Sequence, residues 1–294
     1  MTFTPTDAFH AFAVGREDDS PMVQMTQALG TRMTDHRGLI DLPALAVLFD
    51  DLGGYPFWVA DQSATTMQAR LSMSMLDRPD VTERLTAVAD LRLHNKLYGS
   101  TTVDITGDAG RLLCIGNARN VRVQRELVVA GDGVPHLPAP VTPNEAAIVG
   151  APDPDLSGRA VIDRIVAGDA PIGPLSELLN GSITAVADDG LTFSCVGEQW
   201  MGNVMGTMHG GVIGAIVAQG CSLAAQSAMR PGGQYQLVDF TVAFLRSPEV
   251  DGRSVHVRAT PVKLGRRLSI FDAELRDDEG TLLARATADV RFDL

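Results

Sequence analysis

Residues 203–218 read NVMGTMHGGVIGAIVA, a short segment with polar positions that runs directly into an apolar one. The polar positions are an Asn, a Gly three residues later and a His-Gly-Gly triplet that ends at Gly211. Residues 211–229 contain no Asp or Glu and are apolar on nearly every side. They predict a helix that is buried all round, unlike a surface helix with one apolar stripe.

Alternating apolar and polar residues follow this helix at 236–245 and 252–292, as in an antiparallel meander. The first half repeats the order, with a helix candidate at 42–54 and strand candidates at 85–93 and within 99–133. A helix that must be buried all round beside one antiparallel sheet suggests a sheet curled around it, which is the hotdog fold. We therefore predict an α+β protein of two tandem hotdog domains; two unrelated α+β domains are the alternative.

A segment rich in Pro, Gly and Asp separates the two halves. It reads GDGVPHLPAPVTPNEAAIVGAPDPDLSG at 131–158 and has no sustained apolar period, as expected of a linker. We predict an N-terminal hotdog domain at 1–136, a Pro/Gly-rich linker at 137–174 and a C-terminal hotdog domain at 175–294.

Composition narrows the possible functions. The 294 residues are 45% apolar, enough for two cores, and the net charge of -12 argues against a nucleic-acid partner. The apolar runs are too short to span a bilayer, and the N-terminus lacks the pattern of a signal peptide. The cysteines show no disulfide or zinc spacing, and phosphate-loop, dinucleotide and Gly-x-Ser-x-Gly motifs are missing from the sequence. We expect no metal, no cofactor, no membrane span and a cytoplasmic location.

Glycines at a helix start have a chemical use. The first N–H groups of a helix have no partner within the helix and carry the positive end of its dipole. A substrate carbonyl against the N–H of Gly210 or Gly211 would have its developing oxyanion stabilised by roughly 3–4 kcal/mol. His209 could then fix the loop or donate to the substrate, and Asn203 could hold the attacking water. The alternative is that the glycines permit tight helix–sheet packing and His209 is a core histidine.

The segment resembles the hotdog acyl-CoA thioesterases of the phenylacetate-pathway type. In that family an Asn, a Gly and then His-Gly-Gly stand at this spacing before the central helix, and here they are Asn203, Gly206, His209, Gly210 and Gly211. The resemblance extends to the following strand pattern, VDFTVAFLRSP, and to the meander.

This resemblance covers 175–294 well and 20–136 weakly, so the whole chain is similar to a fused double hotdog. It implies an enzyme, an acyl-CoA thioesterase that hydrolyses a thioester to a free acid and coenzyme A. Coenzyme A would be part of the substrate rather than a cofactor.

The resemblance also implies a carboxylate. The family places it seven positions after the second Gly, where this chain has Ala218 followed by Gln219. The first half instead carries Asp50 and Asp51 in LAVLFDDLGG, and LFD resembles the run that holds the family's acid, which favours Asp50. The alternative is an exposed C-terminal helix turn ahead of the glycines at 53–54.

Family sites lie between two hotdogs, with the Asn and Gly from one protomer and the carboxylate from the other. A fused chain makes that interface intramolecular. The resemblance therefore implies one composite site in which Asn203, His209 and the glycines face Asp50 or Asp51. The second pseudo-site, near His36 and Ala218, would be lost.

Further residues are candidates for substrate binding. Gly206 and Met208 lie in the motif, and Arg266 and Arg267 could pair with the phosphates of coenzyme A. The family's habit implies a homodimer, that is, a dimer of pseudo-dimers. A non-catalytic acyl-CoA or lipid-binding double hotdog and a hotdog hydratase or dehydratase are the alternative functions.

Overall fold

The computed structural model describes residues 3–16, 23–124 and 142–293. Its α-helices are α1 Ala8–Phe12, α2 Ala46–Ala60, α3 Gly158–Ala167, α4 Pro174–Leu178 and α5 Gly210–Ser227. Its strands are β1 Val14–Gly15, β2 Gln24–Ala28, β3 Thr65–Met75, β4 Arg84–His94, β5 Tyr98–Thr106, β6 Leu112–Val123, β7 Gly181–Ala187, β8 Gly190–Val196, β9 Gln234–Phe244, β10 Ser254–Lys263, β11 Leu268–Asp277 and β12 Leu282–Asp293.

Within these described ranges the strands form one 12-stranded sheet in the order β1-β2-β4-β5-β6-β3-β9-β12-β11-β10-β8-β7. Every neighbouring pair is antiparallel. The two halves of the chain meet where β3 pairs with β9, from Arg70 opposite Ala243 to Ser74 opposite Asp239.

Strand order is the same on both sides of this seam. Moving outward, one side runs β3-β6-β5-β4-β2 and the other β9-β12-β11-β10-β8, so each strand matches the one six positions later in the chain. The long helices also correspond, because α2 lies between β2 and β3 and α5 between β8 and β9. The predicted pair of tandem hotdogs is confirmed, and two unrelated domains are excluded.

The central helices α2 and α5 pack against each other, and each also packs on the five matched strands of its own half. Their contact is close: a Cβ at Gly211 would lie 2.5 Å from the Cα of Val47. Glycine is required there because a side chain would hold the two helix backbones apart. The predicted helix at 211–229 is observed as α5, and its residues 211–226 are buried.

Helix α2 is longer than its sequence pattern indicates. A 3₁₀ turn at Leu42–Leu45 precedes it, capped by the side chain of Asp41, and the helix then continues through the glycines at 53–54 to Ala60. A Cβ at Gly53 would lie 2.7 Å from the Cβ of Ala118, so this glycine allows α2 to approach β6. The alternative of a helix end ahead of these glycines is therefore wrong.

The described part of the predicted linker packs onto the body of the protein. Glu145 accepts a hydrogen bond of 2.6 Å from the hydroxyl of Thr31, and the Asn144 side chain donates to the carbonyl of His10 at 2.6 Å. Helix α3 contacts α5. The predicted boundary between 136 and 137 lies outside the described residues, and the domain limits stay predictions.

Candidate active site

The loop before α5 is held by its own asparagine. The Asn203 Oδ1 accepts hydrogen bonds from the backbone N–H groups of Met205 at 2.9 Å and Thr207 at 3.3 Å. The Nδ2 of the same amide donates to the carbonyl of Met208 at 3.3 Å. With donor and acceptor both used inside the loop, Asn203 fixes the backbone that leads into His209.

His209 is the N-cap residue of α5 and is buried, with 8% of its surface exposed. Its Nδ1 lies 3.1 Å from the backbone nitrogen of Gly211 and 3.1 Å from the Oδ2 of Asp50. The ring of Phe9, from α1, meets the imidazole edge-on with the ring centroids 5.6 Å apart. An imidazole at the helix start is thus enclosed between an aromatic ring and a carboxylate.

Asp50 reaches this point from the middle of α2, in the other repeat, and is 6% exposed. Its carboxylate lies so close to Gly210 that a Cβ there would be 2.7 Å from Oδ1 and 2.9 Å from Oδ2. Among the described residues Oδ1 has no hydrogen-bond partner, and it is enclosed. The Gln68 side chain donates to the main-chain carbonyl of Asp50. Glycine at 210 is needed for the carboxylate to lie against the first turn of α5.

Asp51 adds a second carboxyl group beside the first. Burial raises its pKa to about 6; the charges of His209 and Arg16 oppose this rise, and the charge of Asp50 adds to it. The Arg16 guanidinium lies over the ring of Tyr55, 5.0 Å from its centroid. The site therefore combines two adjacent acids and an imidazole within one enclosed region.

The carboxyl groups near His209 also change the pKa of its imidazole. Burial by itself lowers the pKa of His209, but the hydrogen bond that its ring donates to Asp50 and the charges of Asp50, Asp51 and Asp7 outweigh it, so the pKa of His209 is raised. The imidazole therefore holds a proton more firmly than an isolated histidine.

This geometry offers two chemical functions in one place. The N-terminus of a helix binds an anion or a developing negative charge through its free N–H groups. Asp50 supplies an acceptor for a proton next to these donors, since its Oδ1 has no hydrogen-bond partner within the described parts of the chain. A carbonyl group placed between them could be attacked by water and stabilised as an oxyanion.

Comparison with known proteins identifies the family. A family model described as "Thioesterase superfamily" matches residues 205–284. A protein of Haemophilus influenzae named "Putative esterase" is 31% identical over 118 residues, a match that covers 37% of this chain and 83% of that protein. The chain belongs to the thioesterase superfamily.

Solved structures agree with this fold over almost the whole chain. A hot dog fold protein from Alicyclobacillus acidocaldarius covers 98% of this chain and 99% of its own, at 15% identity and a TM-score of 0.63. The acyl-CoA thioesterase II of Mycobacterium marinum covers 97% of both chains, at 10% identity and a TM-score of 0.62. At these identities the likeness shows the double hotdog architecture of this thioesterase-superfamily chain and nothing finer.

The other predicted binding residues lie outside the contact between Asp50 and the helix start. Gly206 is an exposed turn residue with a φ of 77°, in the left-handed region that favours glycine, whereas Met208 is fully buried in the core. Arg266 and Arg267 are exposed at the tip of the hairpin between β10 and β11. Their roles in substrate binding stay predictions.

Sequence reasoning missed a polar cluster of this thioesterase-superfamily chain, which lies around His36, where the second pseudo-site is predicted. Arg37 pairs with Asp35 at 2.5 Å and with Asp41 at 2.9 Å, and it lies over the ring of Tyr235, 3.6 Å from the centroid. Next to it, His36 is buried and its Nε2 lies 2.9 Å from the Oε1 of Gln226. The charged residues Asp35, Arg37 and Asp41, close together in a mainly apolar stretch, were the available signal.

Helix α5 meets this second region with residues that carry no acid. Ala218 is fully enclosed, and the Gln219 side chain donates to the hydroxyl of Ser176, in α4, at 2.9 Å. The backbone N–H of Leu175 bonds to the carbonyl of Thr34 at 3.0 Å. Helix α4 thus packs against α5 beside Ala218, in the region where the second pseudo-site is predicted.

The described residues contain no group of three or more His, Cys, Asp or Glu side chains that could hold a metal ion. None of their helices is long and apolar enough to cross a membrane. Cys114, Cys195 and Cys221 are buried free thiols whose pKa values are raised by burial.

Proposed function

We propose that this chain is an acyl-CoA thioesterase with one composite active site, built from Asp50 of the first repeat and the start of α5 of the second. The observation that carries the proposal is the position of the Asp50 carboxylate against Gly210, 3.1 Å from His209. Membership of the thioesterase superfamily and a structural neighbour named as an acyl-CoA thioesterase support the reaction class.

In the proposed mechanism the thioester carbonyl binds against the first N–H groups of α5, at Gly210 and Gly211. Asp50 Oδ1 accepts a proton from the attacking water, whose oxygen adds to the carbonyl carbon. The oxyanion that forms is stabilised by the two N–H groups. As it collapses to the acid the carbon–sulfur bond breaks, and Asp50 returns its proton to the sulfur, which departs as the thiol of coenzyme A. Asn203 serves to hold the loop, because its amide is already used there.

The test compares Asp50→Asn with Gln219→Ala across a panel of acyl-CoAs, with thiol release as the readout. The first variant removes the proposed base and keeps the side-chain shape, so kcat should fall by roughly 10²-fold or more. The second changes the predicted second pseudo-site and should leave turnover nearly intact. Full activity of Asp50→Asn, with loss of activity in Gln219→Ala, would place the working site at the predicted second pseudo-site instead.

A single turnover in ¹⁸O-labelled water tests for a nucleophilic Asp50, because only that mechanism can leave label in the protein. A general base leads to label in the released acid. A nucleophilic Asp50 would form an acyl anhydride, and hydrolysis at its aspartyl carbon would leave label in the carboxylate of the protein. Binding of acyl-CoA without turnover would favour the lipid-binding alternative.

Two broader expectations remain predictions. We propose that chains pair into a dimer of pseudo-dimers, which sedimentation or light scattering measures directly. A cytoplasmic location is consistent with free buried thiols, and fractionation of cells tests it.

A further inference from the structure

The Nδ1 atom of His209 faces two groups that make incompatible demands on it. The backbone nitrogen of Gly211 lies 3.1 Å away and can only donate a proton. The Oδ2 of Asp50 also lies 3.1 Å away and, when ionised, can only accept one. A ring nitrogen carries either a lone pair or a hydrogen in the ring plane, so Nδ1 cannot satisfy both partners at once.

Two states of the site follow. If Nδ1 is bare, it accepts the Gly211 N–H as an ordinary N-cap and withdraws that donor from a substrate. If Nδ1 carries a hydrogen, it donates to Asp50 and the Gly211 N–H is released toward any oxygen that enters the site. An ionised carboxylate repels a bare nitrogen lone pair and attracts an N–H, so Asp50 favours the second state.

We propose that Asp50 sets the tautomer of His209 and thereby frees the N–H of Gly211 to bind the thioester oxygen. His209 is then a positioning residue that controls one donor of the oxyanion site. The inference rests on the proposed function, because it assigns the released N–H to the thioester. It also gives the two oxygens of Asp50 separate tasks: Oδ2 accepts the hydrogen bond of the imidazole, while Oδ1, which is enclosed and has no partner among the described residues, is left to accept the proton of the attacking water.

The groups around the imidazole support the protonated Nδ1. From α2 it faces Asp50 and Asp51, and from the residue before α1 it faces Asp7, all of which raise the pKa of His209 against the effect of burial. The ring of Phe9 covers one edge. Arg16, the cation next to Asp51, opposes the rise in the pKa of that acid. The field at Nδ1 is therefore mainly negative, which favours a hydrogen on the nitrogen.

The tautomer can be measured without substrate. Nitrogen NMR of the ¹⁵N-histidine-labelled protein distinguishes a protonated from a bare Nδ1. We expect a protonated Nδ1 in the wild-type protein near neutral pH. In Asp50→Ala, which removes the acceptor, we expect a bare Nδ1. A bare Nδ1 in the wild-type protein, or an unchanged tautomer in Asp50→Ala, overturns the inference and leaves the proposed hydrolysis standing.

Two substitutions at 209 give the kinetic test. In His209→Asn, Oδ1 takes the place of a bare Nδ1 and accepts the Gly211 N–H as an ordinary N-cap, so the donor is blocked and kcat should fall by roughly 10²-fold. In His209→Ala nothing occupies this N–H, so kcat should fall clearly less. In thermal unfolding His209→Asn should have the higher Tm, although it has the lower kcat, since Asn is a better N-cap than Ala.

The relative kcat values of His209→Asn and His209→Ala decide whether His209 acts through the Gly211 N–H. If the imidazole itself acts on the substrate, Ala and Asn lose activity equally, and an equal loss refutes the inference. If neither the wild-type protein nor the variants release thiol from any acyl-CoA while the tautomer depends on Asp50 as expected, the proposed function fails. In that case the control of the Gly211 N–H by Asp50 remains, and only its assignment to the thioester is lost.

Discussion

Three glycines of α5 should respond to the same substitution in three different ways. A methyl group at Gly214 would have the Cβ of Ala46 as its nearest neighbour, at 3.6 Å, which is an ordinary contact. At Gly211 it would lie 2.5 Å from the Cα of Val47 and 2.9 Å from the carbonyl oxygen of Ala46. At Gly210 it would lie 2.7 Å from Asp50 Oδ1. The three positions therefore face an ordinary side-chain contact, helix backbone and the proposed base.

These contacts determine how much each substitution should change the free energy of unfolding. Gly214→Ala should stabilise the protein by up to about 1 kcal/mol, since alanine has the higher helix propensity. Gly211→Ala gains a similar propensity but forces two helix backbones apart by about 1 Å from an ordinary contact distance, and such overpacking costs about 1–3 kcal/mol. Because the propensity gain is shared, the free energies of unfolding of the two variants should differ by about 1–3 kcal/mol.

Urea denaturation followed by circular dichroism measures this difference, with Gly214→Ala as the matched control. Gly210→Ala should behave differently again: it displaces a side chain rather than a backbone, so it should lose thioesterase activity with a smaller loss of stability. Equal stability of Gly211→Ala and Gly214→Ala would refute the close packing of α2 against α5. Full activity of Gly210→Ala would contradict the proposed position of Asp50 in the site.

Three further predictions address charge and positioning. The pKa of Asp51 is raised from 3.8 to about 6, so the folded protein loses stability as the pH rises through about 6. Asp51→Asn should therefore be more stable than the wild-type protein at pH 8 by up to about 3 kcal/mol, and this gain should vanish below pH 4 in urea titrations. Asn203→Ala frees the loop before α5, so kcat should fall more than KM rises; a change in KM alone would contradict a positioning role. Replacing Arg266 and Arg267 with Ala should raise KM for acyl-CoA and leave kcat unchanged in steady-state assays, because phosphate binding is equal in ground and transition states. An unchanged KM would show that these two arginines do not bind the phosphates of coenzyme A.

Much of the fold is written in local patterns of the sequence. The apolar residues after Gly211 have the period and length of a buried helix, and the alternation after residue 236 is that of β9 to β12. Such signals need only neighbours within a few residues, because side chains of one helix or strand repeat at 3.6 or 2 positions. The order helix and then meander, found twice, was sufficient to predict the repeat.

Other elements lacked a local signal. The polar sequence TTMQARLSMSM at 65–75 did not suggest the strand β3, yet β3 lies at the centre of the sheet because β9 and β6 pair with both of its edges. The continuation of α2 past Gly53 depends on close approach to Ala118, which is far along the chain. The cluster around Arg37 depends on Tyr235 in the other half. None of these contacts has a counterpart within a few residues.

The candidate site also has a part that the sequence predicts and a part that only long-range contacts determine. The sequence by itself determined two incomplete sets of residues: Asn, His and glycines at the start of one helix, and a pair of acids in the other. Only the tertiary structure decided that the Asp50 carboxylate lies 3.1 Å from His209, and that Asp50 rather than Asp51 makes this contact. The physical reason is that this distance depends on how closely two helix backbones approach, and that is determined by Gly210 and Gly211 against α2.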